Sequence, residues 1–124
     1  MIKFEANVVA IGPLVSEFLD ENIVVLFGQN APPELAEFSI LHDGNGNAVR
    51  TPVVPGDAVI IDDRRFIVLA VGDVANDNFK NLGHLVLKFN GEREVEMPGD
   101  VCVEREPLPP INVGTVIRVE GEGE

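Results

Sequence analysis

The sequence predicts a mainly β chain: a small antiparallel β-barrel or sandwich carrying one or two short helices. Three observations predict it. Short runs rich in Val and Ile are separated by clusters of Gly, Pro, Asn and Asp, the pattern of short strands joined by turns. No regular alternation of helix and strand points to a parallel sheet with crossover helices. The 124 residues, 45% of them hydrophobic, suffice for one core, so residues 1–124 are expected to form a single domain.

The strands follow in order. Phe4–Ile11 is Val- and Ile-rich and stops at Gly12-Pro13; Asn22–Phe27 stops at Gly28. Ala31-Pro32-Pro33 marks a loop, with a brief turn over Pro33–Ala36 and then a strand to His42. Asp43-Gly44-Asn45-Gly46-Asn47 is a turn by composition. Pro52 and Pro55-Gly56 are further breaks. Asp57–Ile61 and Arg65–Val71, joined at Ile61-Asp62-Asp63-Arg64, read as a hairpin. Asn76–Leu82 predicts a short helix, with Asn76 or Asp77 able to accept from first-turn N–H groups and Gly83 ending it left-handed. His84–Phe89 returns to strand and meets the turn signal Asn90-Gly91. Glu94–Met97, Val101–Glu104 and Thr115–Val119 complete the strands, Arg105–Pro110 is a Pro-rich connection, and Gly121–Glu124 reads as a frayed acidic end.

Composition narrows the function. The longest apolar runs, Phe66–Val71 and Ile23–Phe27, fall far short of the ~20 residues of a spanning helix, and Met1-Ile2-Lys3-Phe4-Glu5 does not begin a secretory signal. The single cysteine, Cys102 between two valines, reads as a small strand residue in a reducing cytoplasm. A net charge of −12 repels nucleic acid and anionic lipid. It suits a protein that meets a positively charged partner face, or it serves solubility alone.

With no Tyr or Trp and one Cys, His42 and His84 dominate the candidate nucleophiles. Each stands where a strand meets a turn, a place from which a rigid sheet can present a side chain. The residues alone also allow each to be an ordinary hydrogen-bonded histidine. Ser16 and Ser39 lie in no Gly-x-Ser-x-Gly elbow, and two distant histidines specify no metal site. Gly44-Asn45-Gly46 is followed by no Gly-Lys-Ser/Thr, which argues against nucleotide binding. Asp62-Asp63 beside Arg64-Arg65 reads as a solvated hairpin tip.

The segment Ala70-Val71-Gly72-Asp73-Val74-Ala75-Asn76-Asp77-Asn78-Phe79-Lys80-Asn81-Leu82-Gly83-His84 resembles the family of glucitol/sorbitol-specific IIA components of sugar phosphotransferase systems. So do Ala31–Phe38, Leu41-His42, Pro55-Gly56 and Glu96-Met97-Pro98-Gly99, in order along nearly the whole chain. Phe79 stands where leucine is usual, Asn90 where aspartate is, and Gly44 where some members carry a second histidine.

The resemblance implies a cytoplasmic phosphocarrier needing no cofactor and no metal. It would accept phosphate from the phosphohistidine of the small carrier HPr and pass it to the IIB part of the IIB/IIC membrane transporter. The phosphorylated residue maps onto His42, through Nε2. Its Nδ1–H then needs an acceptor, a backbone carbonyl or Asp43. Backbone N–H groups of Asp43–Gly46, Asp43 and Gly44 foremost, are candidates to contact the phosphate, because glycine allows close approach. A supporting role for His84 requires the fold to bring it near His42. Phe38 or Phe79 stand as the apolar centre of a docking face, or as core.

Overall fold

The computed structural model describes residues 1–44 and 51–122. Eight strands close into a barrel: β1 (Ile2–Ile11), β2 (Ile23–Gly28), β3 (Ile40–His42), β4 (Ala58–Ile61), β5 (Arg64–Val71), β6 (Leu85–Lys88), β7 (Asp100–Val103) and β8 (Val116–Glu120), in the spatial order β1-β3-β2-β6-β7-β5-β4-β8. Three short helices accompany them, α1 (Val15–Leu19), α2 (Pro33–Ala36) and α3 (Ala75–Leu82).

The barrel is as expected, but its strands are not all antiparallel. β2 runs parallel to β3, and β6 to β7. Residues 29–39, containing α2, and residues 89–99 carry the chain back for these pairings, which no tight hairpin could do. Glu94–Met97, expected as a strand, lies in this second connection and is irregular. α1, unassigned from sequence, buries Val15 and stacks Phe18 on Phe38 at 5.3 Å between ring centroids. Phe38 therefore packs against its own chain. The β4–β5 hairpin forms as read, with Asp62 at its tip at φ 55° and accepting from the Val116 N–H at 3.0 Å.

Side chains alternate along the strands, one face in and one out, apart from register shifts in β1 and β5. Inward residues make a continuous core that includes Phe4, Ala6 and Val8 of β1, Val24 and Leu26 of β2, Ile40 of β3, Phe66 and Val68 of β5, Leu85 and Leu87 of β6, and Ile117 and Val119 of β8. Cys102 is buried in β7, where its thiol is pushed up by burial.

α3 packs against this core with Ala75 and Phe79, and the Phe79 ring meets Phe4 at 4.6 Å. Phe79 is thus core rather than docking surface. The helix starts at Val74 with no side-chain cap, so neither Asn76 nor Asp77 serves as one. Asn76 instead reaches across to the segment after the undescribed residues. It accepts from the Val53 N–H at 2.7 Å and donates to the Val53 carbonyl at 2.9 Å. Asn76→Ala leaves both backbone groups of a buried residue without partners, so a loss of about 1–3 kcal/mol in urea unfolding is expected. A loss below about 0.5 kcal/mol would mean that water replaces the amide freely. Gly83 ends α3 at φ 67°, as the left-handed cap read from sequence.

Among the described residues no helix is long and apolar enough to cross a membrane. Residues 45–50 and 123–124 lie outside the description, and with them most of the Asp43–Asn47 turn and the last part of the acidic end.

Candidate functional site

The topology sets the two histidines on either side of β2: His42 ends β3, and His84 immediately precedes β6. His42 ends β3 in register with Gly28 of the parallel strand β2, and Leu26 of β2 pairs with Leu85 of β6, one residue beyond His84. The two side chains nevertheless take opposite faces. His42 is in phase with Ile40 and points into the barrel, where only 1% of it is exposed. His84 is out of phase with the core residues Leu85 and Leu87, is half-buried, and lies against Phe27 on the outside at 4.7 Å.

The His42 ring meets the Phe4 ring edge-on at 5.1 Å. Its Nε2 is 2.8 Å from the Gly83 carbonyl oxygen, and the Gly44 N–H reaches Nδ1 at 3.1 Å. A carbonyl only accepts and an N–H only donates, so the ring is neutral with its proton on Nε2. Burial holds its pKa below the ordinary histidine value, against the smaller upward pulls of the Gly83 hydrogen bond and of Asp43. The tautomer is the reverse of the one expected from sequence. The carbonyl partner sits on Nε2 rather than Nδ1, because the left-handed turn at Gly83 presents its oxygen to that nitrogen.

Asp43 does not accept from the ring either. Its Oδ1 accepts from the Asn7 N–H at 2.8 Å, its Oδ2 from the Asn7 side-chain amide at 3.3 Å, and its own N–H donates to the Asn7 carbonyl at 3.1 Å. The Asn7 N–H bond is the leading reason its carboxyl lies below the usual range. Asp43 thereby ties the chain after β3 to β1. The Gly44 N–H, read from sequence as a candidate phosphate contact, here donates to the His42 ring. A Cβ there would come within 2.9 Å of both Phe4 and Ala6, so glycine is what lets this turn lie against the barrel wall.

His84 is held by different contacts. Its Nδ1 is 3.1 Å from the Leu26 carbonyl, so Nδ1 carries the proton, and its backbone N–H donates to Asn78 at 3.3 Å. No hydrogen bond to its Nε2 occurs among the described residues.

Sequence reasoning missed Gly83 and Asn7 as neighbours of His42. Gly83 carried a signal, but only for a helix end. Nothing local to Asn7 announced that it would hold Asp43, since that contact follows from β1–β3 pairing.

Comparison with known proteins gives consistent results. A family model described as the PTS system glucitol/sorbitol-specific IIA component matches residues 3–118. Glucitol/sorbitol-specific EIIA components of the same system from Shigella flexneri and from Escherichia coli (strain K12) are each 31% identical over 119 residues, covering 96% of this chain and 95% of theirs. The crystal structure of a PTS system IIA component from Enterococcus faecalis V583 superposes with a TM-score of 0.81 at 24% identity, over 95% of this chain and 100% of that one. At that identity the structural match speaks for the fold.

Proposed function

The chain belongs to the glucitol/sorbitol-specific IIA component family of the sugar phosphotransferase system, and from that premise we propose that it carries its phosphoryl group on His42, in the cytoplasm, between HPr and the IIB component of a glucitol/sorbitol transporter. As a member of this family the chain is a phosphotransferase.

The observation that carries the assignment to His42 is its imidazole: neutral, kept from protonation by burial, and gripped by backbone on both nitrogens. A neutral ring has the lone pair that a phosphoryl acceptor needs. In the reaction the N–P bond of the donor phosphohistidine breaks as a bond from phosphorus to His42 forms, and the donor imidazole leaves with the electron pair. The protein's share of the work is positioning and charge stabilisation.

In this structure the His42 ring is enclosed, with Nε2 on the Gly83 carbonyl and Nδ1 on the Gly44 N–H. Transfer to Nε2, the nitrogen the resemblance assigns, requires the ring to leave the Gly83 carbonyl and the Nε2 proton to pass through solvent to Nδ1. The Gly44 N–H, displaced from Nδ1, is then free to donate to a phosphoryl oxygen. Opening must also carry the ring past Phe4, against which α3 is packed. The acidic surface fits short-lived docking of a basic partner face.

Incubation with phosphoenolpyruvate, Enzyme I and HPr tests this. Acid-labile phosphate is expected on the wild type and only background on His42→Ala that retains the wild-type circular dichroism. A second reading has one observation in its favour: His84 is the less buried histidine, and its Nε2 has no hydrogen-bond partner among the described residues. Label kept by His42→Ala and lost by His84→Ala would transfer the carrier role to His84.

A further inference from the structure

We propose that His84 is a positioning residue that fixes the ring proton of His42 by way of the Gly83 carbonyl. The proposal rests on the reading of His42 as the carrier.

Gly83 has no side chain to hold it and stands at φ 67°, a conformation from which a glycine moves easily. Yet its oxygen, together with the Gly44 N–H on Nδ1, sets which nitrogen of His42 is protonated. Something must therefore hold the peptide. On one side the end of α3 does so, through the Gly83 N–H donated to Phe79 at 2.9 Å and the His84 N–H donated to Asn78 at 3.3 Å. On the other side, among the described residues, the side chain next to this peptide that hydrogen-bonds another strand is His84, whose Nδ1–H donates to the Leu26 carbonyl. Its ring also lies on Phe27, and Phe27 is 5% exposed and adjoins Gly28, the register partner of His42.

The two imidazoles are thus coupled through one peptide, although they lie on opposite faces of the sheet. The outer ring holds the peptide, and the peptide's carbonyl holds the inner ring. This explains an otherwise odd division. The more accessible histidine has its Nδ1 proton directed at structure, while the buried one has its orientation dictated by backbone. A direct hydrogen bond from His84 to a phosphoryl group inside the barrel does not fit these opposed faces. Control of the tautomer does.

The test reads the ring nitrogens of His42 by 15N NMR in unphosphorylated, full-length protein. The wild type is expected to show one tautomer, with the proton on Nε2. In His84→Ala the form protonated on Nδ1 should rise roughly fivefold, the effect of losing about one ordinary hydrogen bond. His84→Asn should restore the wild-type pattern, because its amide places a donor near the position of Nδ1. His84→Gln, which places its amide near Nε2, should behave like alanine.

An unchanged tautomer in His84→Ala overturns the proposal. So does an asparagine variant no better than the glutamine one, since that would leave His84 a filler of space. These readings are independent of whether His42→Ala loses its label, so failure here and failure of the carrier assignment are distinguishable.

Discussion

Replacing Gly83 with alanine is expected to destabilise the protein by about 2–5 kcal/mol and to disturb His42 directly. Two costs combine. Gly83 stands at φ 67°, where an L side chain adds about 1–2 kcal/mol of backbone strain. The new methyl would also lie 2.9 Å from Cε1 and 3.1 Å from Nε2 of His42, and 3.1 Å from the backbone nitrogen of Gly28. A flexible side chain could retreat from such contacts, but a backbone nitrogen within a strand cannot. The ring of His42, enclosed by Phe4 and two backbone partners, has little room either.

Gly56→Ala supplies the control. Gly56 has a positive φ of 98° with nothing within 4 Å of its missing Cβ, so alanine there meets the backbone cost alone. The expected result in urea unfolding is a clearly larger loss for Gly83→Ala, together with shifted NMR signals from the His42 ring. Equal losses with unshifted signals would show that the close packing around the ring yields at no cost.

The second large effect is expected at Lys3. Its ammonium is buried in β1, 2.8 Å from Asp57 Oδ2 and 2.9 Å from the Pro52 carbonyl, and both partners of the ion pair are almost wholly enclosed. The same carboxylate oxygen accepts from the Val54 N–H at 2.9 Å. Lys3→Met would leave an unpaired carboxylate in this enclosure, a change that typically costs about 3–5 kcal/mol. Removing both charges in Lys3→Met/Asp57→Leu should recover a substantial part of that loss, because the penalty lies in the stranded charge more than in the absent attraction. A double variant as unstable as the sum of the singles would refute this account and place the contribution in the Pro52 and Val54 contacts. Lys3 and Asp57 fasten residues 52–57 to β1, and this stretch follows closely on the chain leaving His42.

How far the sequence could be read depended on whether a signal was local. The β4–β5 hairpin was readable because its apolar runs and its Asp62-Asp63 tip are neighbours in the chain. The end of α3 was readable because Gly83 marks a left-handed stop by itself. The parallel pairings of β2 with β3 and β6 with β7 were not, since their partners are chosen across the barrel by packing. Glu94–Met97 shows the weakness of composition. It looks like other strand segments, but it lies in the connection that returns the chain to β7. At the site, His42 stood out by residue type and resemblance. Its tautomer did not, because that depends on a carbonyl from another strand turn. The buried pair of Lys3 and Asp57 was invisible for the same reason, as residues far apart in sequence became partners only when β1 met the loop before β4.

The seam between β1 and β8 bears on the timing of folding during synthesis. β8 pairs with β1 on one side and β4 on the other, from Ile2 opposite Glu120 to Asn7 opposite Val116. Until residues 116–120 have left the ribosome, β1 and β4 each present an unpaired edge, and unpaired edges invite association with other chains. The ring of strands closes only with β8, so the barrel cannot be complete before these residues are available. Ribosome-bound chains cut short before Val116 should therefore engage chaperones far longer than chains released at full length.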